Sequence, residues 1–258
     1  MPAKKRNLNR VFSSVYTTSY TNLLVSGCSY TWNGSEEHIC TWPYYLKDLC
    51  NFEEILDCSQ AGSGFNHTFN SVINEIENNS NITPDNTFII IMWSGLERVD
   101  VTANIDLVKS YCNMETHHYD NQLSSLPLFN NEPTWKTVSG TTPNKDVELL
   151  RRMYRTLIDS ETQVFESHIK LIALYNYLKN LNFKFVFLEW DSTVAKLSTS
   201  SAKLADQFQR MTAKIQTLGD YATVNNKRIP GDGHPTPDAH LEWTRTILIP
   251  YLTKNNLI

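Results

Sequence analysis

The stretch Thr87–Trp93 constrains the fold most strongly, because it is a short run of almost uninterrupted apolar and β-branched residues. A strand of this kind is typical of a parallel sheet that is covered by helices on both faces. Three other short runs have the composition of strands, namely Asn22–Gly27, Glu54–Ser59 and Phe183–Trp190. A fifth run, Tyr221–Asn225, is a candidate short strand.

Segments with apolar residues at helical spacing separate these strands. The predicted helices are Trp42–Leu49, His67–Glu77, Asp146–Leu181 (as one helix or two), Ala202–Leu218 and Asp238–Lys254. This alternation predicts an α/β fold with one three-layer α/β/α domain over residues 1–258 and a parallel sheet of about five strands. Residues 100–145 are rich in Pro, Ser, Thr and Asn, and we predict an irregular insertion or lid there.

The composition indicates a folded domain and argues against several classes of protein. The chain has 258 residues, of which 41% are hydrophobic and 19% charged, so it can bury a substantial core. Its net charge of −4 argues against a dedicated nucleic-acid binder. No apolar run approaches the roughly 18 residues of a membrane span, and the basic start lacks the apolar region of a secretory signal. We therefore expect a cytoplasmic protein with no membrane partner, and its five cysteines without a CxxC pair are expected to be unpaired thiols.

Polar residues follow the predicted strands at the points where reactive groups collect in parallel sheets. Ser29 follows the first strand, Gly62 lies in the turn after the second, and Ser94 follows the third. Asp232 and His234 lie in a Pro-Gly-Asp-Gly-His-Pro segment near the C-terminus. A serine hydroxyl needs an imidazole to take its proton, and the imidazole needs a carboxylate to orient it. These residue types are therefore the ones that acyl transfer requires.

The order of these motifs resembles the SGNH (GDSL-like) hydrolase family. That family has Gly-Asp-Ser near its N-terminus, followed by a Gly turn, a Gly-x-Asn-Asp turn and a C-terminal Asp-x-x-His-Pro. The sequence Gly27-Cys28-Ser29 is similar to the first motif, with Cys in place of Asp, and His234-Pro235 is similar to the last. The similarity covers essentially the whole chain in element order and implies a flavodoxin-like α/β fold.

The resemblance also implies roles for individual residues. Ser29 would be the nucleophile, His234 the general base and Asp232 the acid that orients it. The backbone N–H groups of Ser29 and Gly62 would form an oxyanion hole, with Gly64 as the fallback for Gly62. No cofactor and no metal are implied.

Two positions depart from the family pattern. Asp232 precedes His234 by two positions instead of three, because position 231 is glycine. The third turn has no Asn, so Ser94 would supply a hydroxyl to the oxyanion hole in place of an amide. Loss of one such donor costs about 10²–10³ in rate. A weak or inactive member of this fold that serves as a binding or structural module is therefore the alternative.

Trp93 and Arg98 lie at the same predicted rim and are candidate substrate contacts. The competing interpretations are core packing of Trp93 and an ion pair of Arg98 with Glu97, Asp100 or another acid. Cys28 is an alternative nucleophile, although its place nearer the strand favours a buried thiol.

A metal-dependent hydrolase is a third alternative, from two groups of residues whose spacing is not diagnostic. These groups are His117, His118 and Asp120, and Asp232, His234, Asp238 and His240. His240 is better suited to packing or capping than to catalysis. The residues together predict a serine hydrolase for an O-acyl or O-acetyl ester, with a small molecule or glycan ester as substrate, and they make no prediction of oligomeric state.

Overall fold

The computed structural model describes residues 16, 18–32, 40–93, 99–103, 134–138, 160–192 and 202–258. In chain order the elements are β1 (Asn22–Gly27), α1 (Trp42–Cys50), β2 (Glu54–Asp57), α2 (Phe65–Asn78), β3 (Thr87–Trp93), β4 (Val99–Ala103), β5 (Thr134–Val138), α3 (Ser160–Asn180), β6 (Lys184–Glu189), α4 (Ala202–Met211), α5 (Leu218–Val224), α6 (Pro237–Trp243) and α7 (Ile249–Lys254). A π-helical turn at Thr244–Leu248 joins α6 to α7.

Four strands form a parallel sheet in the order β2-β1-β3-β6. β1 lies inside this sheet, where Leu23 aligns with Ile55 of β2 and with Phe88 of β3. The chain passes outward from β1 to β2 and then crosses back to β3 on the other side of β1. In sheets with this reversal, the crevice beyond the C-terminal strand ends is the place where loops diverge and a ligand can enter.

Side chains of the sheet alternate between two buried faces, as the apolar strand sequences predict. Leu23 and Ile90 belong to one core cluster, whereas Leu24 and Ile89 belong to the other. Residues of α1, α5, α6 and α7 pack in the first cluster, and residues of α2, α3 and α4 pack in the second. Each fully buried Ile or Leu contributes about 1.5–3 kcal/mol. The predicted three-layer α/β/α class is confirmed.

The predicted strand at Tyr221–Asn225 is wrong, because these residues belong to α5 and the C-cap that follows it. The Thr217 side chain accepts the Asp220 N–H and caps this helix, a local signal that favours helix over strand. The predicted helix from Ala202 ends at Met211 instead of Leu218. Thr212 forms a single parallel bridge to Phe187 of β6, where the fifth strand of the expected sheet would lie.

Two strands lie in and beside residues 100–145, the region predicted to be an irregular insertion or lid. β4 and β5 form an antiparallel pair in which Val99 aligns with Val138. Their sequences alternate β-branched and polar residues, which is a strand signal that the composition of the segment obscures. The function of this region as a lid stays a prediction.

No described helix is both long enough and apolar enough to cross a membrane.

Candidate active site

Ser29 lies on the turn that leaves β1, and the close approach of β3 shapes this turn. A Cβ atom added to Gly27 would lie 2.6 Å from the Met92 carbonyl oxygen and 2.5 Å from the Thr31 hydroxyl oxygen. Only glycine fits there. The N–H groups of Thr31 and Trp32 both donate to the Cys28 carbonyl, at 2.9 and 3.0 Å, and close the turn around Ser29. The half-buried serine therefore lies on a hydrogen-bonded turn at the edge of the sheet.

The loop between β2 and α2 is fastened to the same strand end. The Gln60 N–H donates to the Gly27 carbonyl at 3.1 Å, and the Ser63 hydroxyl donates to it at 2.9 Å. Gly62, in the exposed part of this loop, is thereby held close to the Ser29 turn. Within the described residues, neither the Ser29 N–H nor the Gly62 N–H has a hydrogen-bond acceptor. Both N–H groups are therefore candidates to donate to a substrate oxygen.

The segment that carries Asp232 and His234 folds back on itself as a tight loop. The Ile229 N–H donates to the His234 carbonyl at 2.7 Å, and the N–H groups of Asp232 and Gly233 donate to the Ile229 carbonyl at 3.2 and 3.0 Å. Gly231 and Gly233 have φ angles of 80° and 79°, in the left-handed region that favours glycine. These two glycines bend the backbone sharply on either side of Asp232, so its carboxylate reaches an imidazole only two positions away.

Ser29, His234 and Asp232 form one continuous chain of hydrogen-bonding atoms. His234 Nε2 lies 2.7 Å from Ser29 Oγ, and His234 Nδ1 lies 2.5 Å from Asp232 Oδ1. A carboxylate can only accept, so Nδ1 carries the hydrogen and Nε2 of the neutral ring accepts the Ser29 hydroxyl. The side chains of His234 and Asp232 are 36% and 51% exposed, so a solute can reach the imidazole.

Aromatic rings surround one side of this chain of atoms. The Tyr30 ring lies 5.3 Å from the His234 ring and 4.6 Å from the Trp190 ring, measured between ring centroids. Tyr30 is 7% exposed, and its hydroxyl accepts a hydrogen bond from Arg228 Nη1 at 3.0 Å. Sequence reasoning missed both Tyr30 and Arg228. The position of Tyr30 beside Ser29 is a signal for the first, and no local pattern marks the second.

His240 lies six positions after His234 and has a different environment. Its side chain is almost fully buried, and its Nδ1 accepts the N–H of Trp42, the first residue of α1, at 3.2 Å. Burial, with a smaller contribution from nearby His234, lowers the pKa of His240 to about 3. A neutral ring in this position caps α1 from α6.

Trp93 does not reach the surface of the site. Its side chain is fully buried, with its ring 4.8 Å from that of Phe65 and 4.5 Å from that of Phe187. This placement favours the packing interpretation of Trp93 over the predicted substrate contact. Ser94 and Arg98 lie outside the described residues.

Glu189, at the end of β6, is a second titratable group near this edge of the sheet. Burial, and then the charge of Asp220, raise the pKa of its carboxyl to about 7. Asp191, two residues after Glu189, forms an ion pair with Arg228, at 3.5 Å between Oδ2 and Nη2.

Metal-ligating side chains do not cluster in the part of the chain that the structure describes, where no group of three or more suits a metal ion. Asp232 instead contacts His234, and His240 contacts α1. His117, His118 and Asp120 lie outside the described residues.

No family model matches this sequence, and no curated protein matches it either. Among solved structures, the chain is similar to the psychrotrophic esterase EstA from Pseudoalteromonas sp., with 13% identity, a TM-score of 0.49 and coverage of 91% of this chain and 97% of that one. It is also similar to a lipolytic protein of the G-D-S-L family from Veillonella parvula, with 10% identity, a TM-score of 0.44 and coverage of 90% and 96%. A third structure, TesA, has 11% identity, a TM-score of 0.44 and coverage of 92% and 99%.

These similar structures include a protein of the family that the sequence motifs resemble. At such identities and TM-scores the likenesses carry no argument for activity.

Proposed function

We propose that this protein is a serine hydrolase that cleaves an O-acyl or O-acetyl ester. The observation that carries the proposal is the contact of Ser29 Oγ with His234 Nε2, together with the contact of His234 Nδ1 with Asp232. These three groups come from opposite ends of the chain, and each has the partner that nucleophilic acyl transfer needs.

In the first half of the reaction, Ser29 Oγ attacks the ester carbonyl carbon while His234 Nε2 takes the hydroxyl proton. Asp232 accepts the Nδ1–H and stabilises the positive charge that develops on the ring. The carbonyl oxygen becomes an oxyanion, which the N–H groups of Ser29 and Gly62 would stabilise by donating hydrogen bonds to it. Collapse of this intermediate breaks the bond to the alcohol oxygen, which leaves with the proton from His234.

In the second half, a water molecule attacks the acyl-Ser29 ester while His234 Nε2 takes its proton. The new tetrahedral intermediate collapses with release of the carboxylic acid, and the proton returns to Ser29 Oγ. Ser94 stays a prediction as a third oxyanion donor. Removal of one donor from such a set costs about 10²–10³ in rate, so the Ser29 and Gly62 N–H groups alone support a slower enzyme.

A small-molecule or glycan ester is the substrate class that we propose, and the accessibility of the site supports it. His234 and Asp232 are partly exposed, so the reacting carbonyl can approach from solvent as part of a small molecule or of a glycan ester. Acetylated sugars and short-chain nitrophenyl esters are therefore the first substrates to assay.

A fluorophosphonate probe tests the proposal directly, because it labels only an activated serine. We expect the probe to label wild-type protein and not Ser29→Ala, and ester turnover to be lost in the same variant. Ser80→Ala, which changes an exposed turn serine after α2, is the matched control and should label as wild type does. Folded wild-type protein that neither takes the label nor turns over any ester would contradict the proposal and favour the binding-module alternative.

A further inference from the structure

Arg228 connects the two turns that carry the proposed nucleophile and base. Its Nη1 donates to the hydroxyl of Tyr30, at 3.0 Å, and also to the carbonyl oxygen of Gly233. Tyr30 directly follows Ser29, and Gly233 directly precedes His234. Nη1 of Arg228 is therefore hydrogen-bonded to the residue after Ser29 and also to the residue before His234.

The other two nitrogens of the guanidinium also donate hydrogen bonds to the protein. Nε donates to the Thr223 hydroxyl at 2.7 Å, and Nη2 donates to the Gly219 carbonyl at 2.9 Å. Nη2 also lies 3.5 Å from the Asp191 carboxylate. Every nitrogen of the planar fork thus has a protein partner, and α5 and the end of β6 anchor the group that holds the two turns.

The partners of the Arg228 N–H groups distinguish a substrate-binding role from a role in holding neighbouring residues in place. An arginine that binds a substrate carboxylate or phosphate needs N–H groups directed at the ligand. The donors of Arg228 instead point to protein acceptors, and its side chain is 29% exposed. Partial burial strengthens these charge-assisted hydrogen bonds. The arrangement suits a group that fixes the geometry of its neighbours.

We propose that Arg228 is a positioning residue that sets the Ser29–His234 contact by holding the Tyr30 hydroxyl and the Gly233 carbonyl on one nitrogen. The inference rests on the proposed serine hydrolase function. The Tyr30 ring, packed between His234 and Trp190, transmits the restraint to one face of the imidazole. The Gly233 carbonyl transmits it to the backbone of the loop.

The first test separates kcat from KM in ester hydrolysis. Arg228→Met should lower kcat by about 10²-fold, the cost of misplacing a reacting group by about 1 Å, with KM changed less than about threefold. Arg228→Lys should restore little of the loss, because an ammonium group cannot reproduce the fork. Arg210→Met is the matched control, since Arg210 is exposed and paired with Asp206 on α4, and it should leave kcat unchanged. A kcat of Arg228→Met equal to that of Arg210→Met would overturn the inference.

A double-mutant cycle tests the connection to Tyr30. Tyr30→Phe keeps the ring and removes only the hydroxyl that accepts from Arg228. If the two side chains act as one unit, Tyr30→Phe in the Arg228→Met background should lower kcat by less than about twofold, although alone it lowers kcat by about tenfold. Independent, multiplicative losses would overturn the proposed link.

A third measurement uses no substrate. The Nδ1–H of His234, bonded to Asp232, should give a downfield proton resonance in wild type and in Arg210→Met, assigned by its loss in His234→Gln. In folded Arg228→Met this resonance should broaden or shift. An unchanged resonance would overturn the inference whether or not the protein hydrolyses esters, whereas failure of the proposed function would appear as wild type and Ser29→Ala with equal turnover.

Discussion

Two histidines six positions apart show how differently one residue type behaves in the Ile229–His234 loop and in helix α6. His234 is partly exposed, and both of its ring nitrogens contact polar side chains, the Ser29 hydroxyl and the Asp232 carboxylate. His240 is 3% exposed, and its Nδ1 accepts a backbone N–H. Burial keeps the His240 ring neutral. The His234 ring instead lies within reach of solvent and in contact with a carboxylate and a hydroxyl. Exposure and partners, more than residue type, separate a proposed catalytic base from a helix cap.

The largest expected effect is the loss of activity in His234→Gln. Removal of the proposed base should lower kcat by about 10⁴–10⁶-fold, which is the loss typical of a Ser-His-Asp triad without its histidine. The free energy of unfolding should change by less than about 1 kcal/mol, because the ring is partly exposed. Steady-state hydrolysis and urea unfolding of the same preparation measure both quantities. His240→Gln with the same loss of kcat per folded molecule would break the comparison.

The next effect concerns the carboxylate that orients His234. Asp232→Asn should lower kcat by about 10²–10⁴-fold, because an amide can donate to Nδ1 and so stabilise the wrong tautomer. Asp238→Asn is the matched control, since Asp238 is an exposed residue in the first turn of α6. Equal activity of Asp232→Asn and wild type would show that the two-position spacing is not used in catalysis.

The third prediction concerns stability and the buried ring of His240. Its pKa is about 3 in the folded protein, against an ordinary value of 6.5, so below pH 6.5 the unfolded chain binds a proton that the folded state does not. This group should therefore lower the free energy of unfolding as the pH falls below 6.5, by up to about 1.4 kcal/mol per pH unit. His240→Asn, which keeps an acceptor for the Trp42 N–H and does not titrate, should lose this slope. Chemical unfolding between pH 4 and pH 7 measures it, and an unchanged slope would contradict the capping role.

The smallest effect extends the comparison to carboxyl groups, with the half-buried Glu189 set against the exposed Asp232. The pKa of Glu189 is raised to about 7 from an ordinary 4.5, so the folded state binds its proton more tightly than the unfolded state does. Its contribution to stability is full below pH 4.5 and is lost as the pH rises through 7. Glu189→Gln should raise the free energy of unfolding at pH 8 relative to wild type by about 1–2 kcal/mol, after discounting for partial exposure. The difference should vanish at pH 4, and its persistence there would point to packing instead of charge.

Much of the fold could be predicted from local sequence patterns. Apolar runs such as Thr87–Trp93 predict buried parallel strands, and the four strands of the sheet agree with prediction to within two residues at each end. The prediction failed where tertiary contacts compete with local propensity. Helix α4 ends at Met211 because the chain turns alongside β6, where the Ala213 N–H donates to the Phe187 carbonyl at 2.8 Å.

The residues of the candidate site likewise divide into those that the sequence identified and those that only the structure revealed. Residue type and the resemblance to the SGNH motifs singled out Ser29, Asp232 and His234, and Ser29 also follows a predicted strand. Hydroxyl, carboxylate and imidazole chemistry can be recognised in a sequence. Arg228 could not be recognised, because its role depends on reaching Tyr30 from a distance of 198 positions along the chain.

The sequence by itself therefore determined the alternation of strands and helices, the apolar faces and the reactive groups that follow the strands. Only the tertiary structure decided that His234 meets Ser29, that His240 caps α1 and that Trp93 lies in the core. The physical reason is that hydrogen bonds and burial depend on distances between groups far apart in the chain. Local patterns specify which groups are present, and packing specifies which of them touch.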